Sequence, residues 1–349
     1  FKNLIAKVIN VRHLIDPKKL PGFPYTIHFN NNGDALRNLD LIKATAARVW
    51  LWINLDFNKM RELTEIERID MGLCDPIGSF VKDEPHPARK AIIGAWRTIC
   101  PTTIVTLLIE KLLFAERASL LSSFGVGYEI GIGFSDDRAL DTIKSMDEAD
   151  VKYKDSRMIS SDISGFESAH TEQMFSASCE IDRRLFKVDG GSTSWNKCDR
   201  VWAYLQAHST ILINKRLYVK MVPGAMNSGS GDTSSRNTLL RLLYSKLAHA
   251  DHCLANGDDA CEWITDKVAY LRNCEEIGLK VRDVSDERHF CSHDYSQGVP
   301  RLMNIVKAVT KIVHKDNMEI EDAYQVLHDY RHHEDYDSLL SFVQACFIE

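Results

Sequence analysis

The ten residues Leu254-Ala255-Asn256-Gly257-Asp258-Asp259-Ala260-Cys261-Glu262-Trp263 restrict the fold of this chain more than any other stretch. Two short apolar runs flank an Asn-Gly pair, the pattern of two strands joined by a tight turn with positive φ. The tip of that hairpin carries two adjacent carboxylates. Neighbouring side chains of a strand point to opposite faces, so Asp258 and Asp259 are expected to diverge, one ligating a metal fully and the other lying near it. Alone, Gly-Asp-Asp is commonly an ordinary surface turn. Two further stretches alter that reading. Ser160-Ser161-Asp162-Ile163-Ser164-Gly165-Phe166-Glu167 reads as a strand ending in an acid and then turning. Asn227-Ser228-Gly229-Ser230-Gly231-Asp232-Thr233-Ser234-Ser235-Arg236-Asn237 reads as a Gly/Ser loop entering a helix. An acid-tipped strand, a loop running into a helix and an acid-tipped hairpin, in that order, form a nucleotidyl-transfer site.

Composition narrows the class without choosing the chemistry. The 349 residues suffice for a large core and two or three subdomains. A content of 44% apolar and 26% charged residues is that of a soluble globular protein. The net charge of −6 argues against a generally basic nucleic-acid coat, although a lined channel needs only local positive charge. Nine cysteines with no CxxC pair predict reduced, buried thiols in a cytosolic setting rather than a disulfide frame. The longest apolar run, Ile104 to Phe114, contains Glu110 and Lys111 and is too short and too charged to span a bilayer. No signal peptide is visible, and the start at Phe1 without Met suggests either a processed product or a trimmed chain.

Along the chain, residues 36–69 carry Leu, Ile, Val and Trp at helical spacing. Lys82, Arg89, Lys90 and Arg97 sit on a Pro-broken, strand-like segment that either presents cations to a triphosphate or is a solvated charged hairpin. An apolar helix is expected from Thr103 to Leu121 and another helix from Asp136 to Glu148. Gly125, Gly127, Gly131 and Gly133 read as a loop, without the spacing of a dinucleotide fingerprint. A helix is expected from about Ser168, and Ile211 to Val219 reads as two strands turning at Asn214-Lys215. A strong helix follows from Thr233 to Ala250, then one from Thr265 to Ile277 ended by Gly278, then a strand from Leu279 to Val284. The last fifty residues read as helical. The central order predicts an α+β sheet with helices on one face. The sequence has no repeats, low-complexity tracts or clear linker, which predicts interleaved subdomains.

Joining a nucleotide to a growing strand is an in-line phosphoryl transfer assisted by two divalent cations about 4 Å apart. Mg²⁺ needs only a few carboxylates, its other ligands being water and substrate phosphates. Asp162 and Asp258, with Asp259 beside them, supply that set. The Ser228-Gly229 loop allows close backbone approach to template or nucleotide, and Asn237 is placed for a sugar hydroxyl. Lys280, at a strand start, is the candidate acid for the pyrophosphate, and the cations at 82–97 would neutralise the triphosphate.

With these residues in view the chain resembles the RNA-dependent RNA polymerases of positive-strand RNA viruses, most of all the sobemovirus, barnavirus and polerovirus group. Phe80 to Ile99 is similar to that family's basic fingers motif, Asp162 to the first metal-binding acid, and Ser228-Gly229, Thr233 and Asn237, followed by Arg241, to its loop-helix motif. Asn256-Gly257-Asp258-Asp259 matches the catalytic hairpin, and Gly278-Leu279-Lys280 and Phe290-Cys291-Ser292-His293 resemble the two later motifs. The resemblance implies a right-hand fold with fingers at 1–157, palm at 158–172, a fingers insertion at 173–220, palm at 221–295 and thumb at 296–349. It implies Mg²⁺ or Mn²⁺ as cofactor, ribonucleoside triphosphates and an RNA template with its product strand as partners, and other viral replication proteins nearby. A host-cytoplasmic replication complex is the implied location. Lys82, Lys90, Arg97, Glu167, Ser228, Gly229, Thr233 and Asn237 are the implied nucleotide-binding residues, and Asp162, Asp258, Asp259 and Lys280 the catalytic ones.

The sequence departs from the family pattern at three places. Glu167 stands where the second acid is usually Asp, which puts sugar-selection geometry in question. The aromatic residues after Gly165 are reduced to Phe166, and Ala95 replaces a usual arginine. A reverse transcriptase is the nearest rival, but its hairpin usually begins with an aromatic residue and it carries an aromatic gate where position 167 here is polar. A catalytically dead RNA-binding protein of the same fold is disfavoured by the three intact acids. His289, Cys291 and His293, or His249, His252 and Cys253, could bind zinc, but such spacings are more often ordinary core or surface residues.

Overall fold

The structure is a computed structural model that describes residues 1–82, 88, 92–94, 96–123, 127–130, 135–186, 193–314 and 318–347. The chain divides into two compact units, Phe1–Phe124 with Gly165–Leu240, and Gly125–Ser164 with Arg241–Glu349. Both are discontinuous in sequence.

In the first unit, helices Leu39–Asn54, Ile104–Phe114, Glu172–Leu185 and Ser194–Ala207 share a core in which Val49, Trp52, Leu108, Ile109, Phe175 and Trp202 are buried. The single helix expected over 103–121 is two, Ile104–Phe114 and Arg117–Ser123. The break falls just before Arg117, whose guanidinium is drawn into a buried ion network with Asp182, Asp232 and Arg236. Strand β1 (Ile77–Gly78) pairs in parallel with β5 (Ile211–Ile213), which forms a hairpin with β6 (Arg216–Tyr218). Asn214 and Lys215 turn that hairpin with positive φ at both positions. Strands β2 (Phe80–Val81) and β3 (Thr98–Ile99) form a separate antiparallel pair.

The second unit is built on a four-stranded antiparallel sheet of order β7-β8-β4-β9, comprising β4 (Arg157–Ile163), β7 (His252–Asn256), β8 (Asp259–Ile264) and β9 (Val281–Ser285). Apolar residues decide which elements back it. Leu254, Cys261 and Trp263 pack with Ala139, Met146 and Ala149 of the helix Asp136–Lys152 and with Phe290 and Tyr295. The last two belong to a small antiparallel sheet region of β10 (His289–Phe290), β11 (His293–Asp294) and β12 (Arg301–Leu302) and its following turn. Helices Ile305–His314, Ile320–Asp329 and Tyr336–Phe347 then enclose a core of their own around Ala323, Val326, Leu327 and Leu339.

Edge strand β7 is covered by Gly127-Tyr128-Glu129. Ala255 N donates to Gly127 O at 2.8 Å, and Glu129 N donates to Ala255 O at 2.9 Å. Gly127 has φ +81°, and a Cβ there would lie 1.9 Å from Cys253 O, so only glycine fits. Several boundaries differ from expectation, two of them beside β4 and β9. The chain after β4 makes a short helix, Phe166–Ala169, before Glu172–Leu185, and the strand expected from Leu279 begins at Val281.

Candidate active site

Register brings the acids of the second unit together. β4 pairs with β8 through Ser161↔Ala260, and β7 pairs with β8 through Asn256↔Asp259. One step beyond Ser161, Asp162 therefore lies at the hairpin end of the sheet, on the face shared by Asp259. Asp258 is not on a strand. Gly257 and Asp258 form the two-residue turn between β7 and β8, with positive φ at Gly257 but not at Asp258 or Asn256. A primed turn with glycine first satisfies this geometry. The two acids diverge because one is on the turn and the other on the strand.

Asp259 feels the crowding. Burial and the neighbouring carboxylates of Asp258 and Asp162 push its pKa up to about 6, against the opposing pull of Arg241 and Lys307. An excess of hard oxygen donors that suppresses its own ionisation is the chemistry a divalent cation relieves. Asp162 is engaged otherwise. Its Oδ2 accepts from Arg282 Nε at 2.8 Å and Nη2 at 2.5 Å, from the facing position of β9. Among the described residues no three His, Cys, Asp or Glu side chains converge on one point as metal ligands, which holds also for both His/Cys sets considered for zinc. Arg282 thus competes with any cation for Oδ2 of Asp162. Lys280 precedes β9, its carbonyl accepting from Ser164 N at 2.8 Å and its side chain exposed.

Beneath the hairpin lies a buried charge pair that sequence reading did not find. Arg241 Nη1 and Nη2 donate to the two carboxylate oxygens of Glu262 at 2.9 and 3.1 Å, and Nη2 also donates to Ser161 Oγ at 2.5 Å. Ser161 Oγ donates to Glu262 at 2.7 Å, and the hydroxyls of Ser245 and Tyr270 donate to the same carboxylate. Burial pushes the Glu262 pKa up, but Arg241 and the three hydroxyls outweigh it and hold the group below its ordinary value. The remaining Arg241 donor, Nε, reaches the carbonyl of Asp258 at 3.3 Å. The β7–β8 turn is thus tied through one guanidinium to a carboxylate inside the unit.

In the first unit, loop 227–231 is fastened on several sides. Glu110, the one acid inside an apolar run, accepts from Ser230 Oγ at 2.7 Å, Trp202 Nε1 at 3.1 Å and Gly231 N at 2.7 Å. Its complete burial nevertheless pushes its pKa up to about 7. Ser228 Oγ accepts from Cys100 N at 3.0 Å, and Gly229 crosses Pro101 so closely that a Cβ would lie 2.3 Å from Pro101 Cα. Thr233 turns its hydroxyl onto the carbonyls of Asn227 and Ser230, both at 2.9 Å, closing the loop onto the helix Thr233–Leu247. One turn on, Asn237 Oδ1 stands 3.1 Å from His170 Nε2. The carbonyl of Glu167 accepts from Met226 N at 2.8 Å; among the described residues no hydrogen bond joins the Glu167 side chain to Asn237.

Of the basic segment, Lys82 and Arg97 are placed opposite each other by the bond from Lys82 N to Arg97 O at 2.8 Å. Lys90, like Arg89 and Ala95, lies outside the described residues.

Two solved structures define the class of fold. The RNA-dependent RNA polymerase of a sicinivirus matches 99% of this chain and 80% of its own, with a TM-score of 0.68 at 14% identity. That of a human picobirnavirus matches 98% and 73%, with a TM-score of 0.58 at 12% identity. The chain has the right-hand polymerase fold. In sequence, residues 158–295 match the family described as viral RNA-directed RNA-polymerase. The replicase polyprotein of Southern cowpea mosaic virus is 28% identical over 92% of this chain and 34% of its own length. Protein P1-P2 of potato leafroll virus is 28% identical over 80% of this chain and 28% of that protein. The replicase polyprotein of cocksfoot mottle virus is 30% identical over 68% and 26%. Its central part thus matches a viral RNA-directed RNA-polymerase family, and the chain is similar to the replicases of sobemoviruses and poleroviruses. It spans about a third or less of the length of these curated relatives.

Proposed function

We propose that this chain copies RNA, adding ribonucleotides to a growing strand on an RNA template to replicate a positive-strand viral genome. The observation that carries the reading is the sheet register that gathers Asp162 on β4, Asp258 on the β7–β8 turn and Asp259 at the start of β8 within a right-hand polymerase fold. Asp162 and Asp258 would hold Mg²⁺ or Mn²⁺, with Asp259 beside them. When bound, such ions activate the 3′-hydroxyl and neutralise the leaving pyrophosphate.

The chain's own residues do the rest. Lys280 supplies a proton toward the pyrophosphate, and Lys82, Lys90 and Arg97 balance triphosphate charge. Ser228, Gly229 and Thr233 shape the loop before the helix, and Asn237, with Glu167, reads the ribose 2′-hydroxyl. The hand is divided as fingers 1–157 and 173–220, palm 158–172 and 221–295, and thumb 296–349. Template, product strand and ribonucleoside triphosphates are its partners, and other viral proteins join it in a host-cytoplasmic replication complex. Among the described residues no helix is long and apolar enough to cross a membrane.

Primer extension on a defined RNA template tests the reading. Asp258→Asn is expected to abolish nucleotide addition with unchanged melting. Incorporation near the wild-type level would refute the metal assignment, and an inactive wild-type chain that still binds RNA would favour a scaffold of polymerase fold.

A further inference from the structure

His170 lies outside every motif that the sequence singled out, yet it makes the one hydrogen bond described for the Asn237 side chain, Nε2 to Oδ1 at 3.1 Å. Both side chains are buried, at 2% and 4% exposure. A neutral imidazole carries one N–H, and an amide oxygen can only accept, so this pairing places the ring proton on Nε2 and the amide NH₂ on the far side of Asn237. Among the described residues that NH₂ has no protein partner, and it is not sealed from solvent. Burial supports the neutral form, lowering the His170 pKa to about 4 despite the bond to Asn237.

The ring has little freedom to turn. Phe166 and Phe175 meet it edge-on, with centroids at 4.5 and 5.9 Å. The His170 carbonyl accepts from Ala225 N at 2.9 Å, and at Gly224 a Cβ would lie 2.2 Å from that carbonyl. Backbone and ring are fixed before any ligand arrives.

We propose that His170 is the positioning residue for sugar selection: its Nε2–H holds Asn237 Oδ1 and presents the Asn237 NH₂ as a fixed donor to the 2′-hydroxyl oxygen of the incoming ribonucleotide. This rests on the polymerase reading above. A donor held in place loses its partner when the hydroxyl is missing, and such unpaired groups give strong discrimination. A rotating amide would offer donor or acceptor indifferently and discriminate less.

The test is primer extension on one RNA template, comparing kcat/KM for a ribonucleotide and its 2′-deoxy analogue. His170→Met fills the site without a donor, and His170→Gln keeps one. The ribo/deoxy ratio is expected to fall at least tenfold in His170→Met through loss of ribonucleotide use, to recover substantially in His170→Gln, and to fall in Asn237→Ala. The wild-type ratio should stay flat from pH 6 to 8.5, because no ring proton is exchanged there. A merely structural role would slow both substrates alike and leave the ratio unchanged in folded His170→Met, which would overturn the inference while a lowered ratio in Asn237→Ala kept the sugar reading intact. An unchanged ratio in Asn237→Ala as well would remove the sugar reading itself. Should the variants not fold, the ¹⁵N spectrum of histidine-labelled wild-type protein decides: Nε2 of His170 must be the protonated nitrogen, and protonation at Nδ1 instead overturns the proposal.

Discussion

Glu262→Gln removes one charge and almost no volume from the pair beneath the β7–β8 turn. Both Glu262 and Arg241 are fully buried, so the variant leaves a guanidinium without its counter-ion. Removing one partner of a buried pair costs about 3–5 kcal/mol, against about 0–1 kcal/mol for an exposed one. The higher range applies here because the same carboxylate also accepts from Ser161, Ser245 and Tyr270. Against a total stability of about 5–15 kcal/mol, that loss is a large fraction of what holds the fold. The double variant Arg241→Met/Glu262→Leu removes both charges and should recover much of the loss, since apolar replacement of a buried pair is often neutral. It should not recover activity, because the donor to the Asp258 carbonyl is gone. Urea unfolding at 25 °C by circular dichroism, with primer extension alongside, separates the two effects. A loss below about 1 kcal/mol in Glu262→Gln would show that the pair behaves as if solvated, and the reasoning from burial would fail.

Replacing Arg282 by Gln frees Asp162 of a half-exposed partner; such pairs are worth at most about 1 kcal/mol, so Mn²⁺ affinity without nucleotide should rise up to about fivefold. An electron-spin-resonance titration showing equal or weaker binding would count against displacement of the guanidinium. Glu110, with its pKa raised to about 7 in the fold, binds its proton more tightly folded than unfolded, so its contribution favours the fold at low pH and is lost as pH rises through about 7. The urea midpoint should therefore depend less on pH between 5 and 8 in Glu110→Gln than in the wild type; equal slopes would show that Glu110 does not titrate there. Arg97→Ala should raise KM for all four ribonucleotides alike, since a phosphate contact carries no base information. A change in base preference at constant KM would assign Arg97 to the template instead.

The parts of this site that were legible in sequence are those where chemistry and local geometry coincide. An Asn-Gly pair between apolar runs announces a hairpin, although the turn itself falls on Gly257-Asp258, and Asn214-Lys215 sits where the β5–β6 turn forms. Strand and helix ends were less legible: Leu279 and Lys280 read as strand but lie outside the β4–β9 ladder, which begins at Val281. The supports of the site were not legible, because each is a pairing across many residues. Glu110 meets Ser230, Arg241 meets Glu262 and His170 meets Asn237 only after the fold has closed. A charge inside an apolar run, as at Glu110, marks that some partner exists but not which one. Asp258 was placed on a strand because alternation suggests it, whereas the turn had room for only two residues and took it.

The pairing of Ser161 with Ala260 also sets an order of events for a chain emerging from a ribosome. Strand β4 is complete at Ile163, but its neighbour β8 is not finished until Ile264, roughly a hundred residues later. At about 5–20 residues per second, some 5–20 seconds pass with Ile159 and Ile163 on a strand whose ladder partners do not yet exist. Such long-range pairing is slow to form and leaves an edge open to other chains. Asp162 therefore gains its place beside the hairpin late in synthesis, and a ribosome that stalls before Asp259 leaves that strand unpaired on β8.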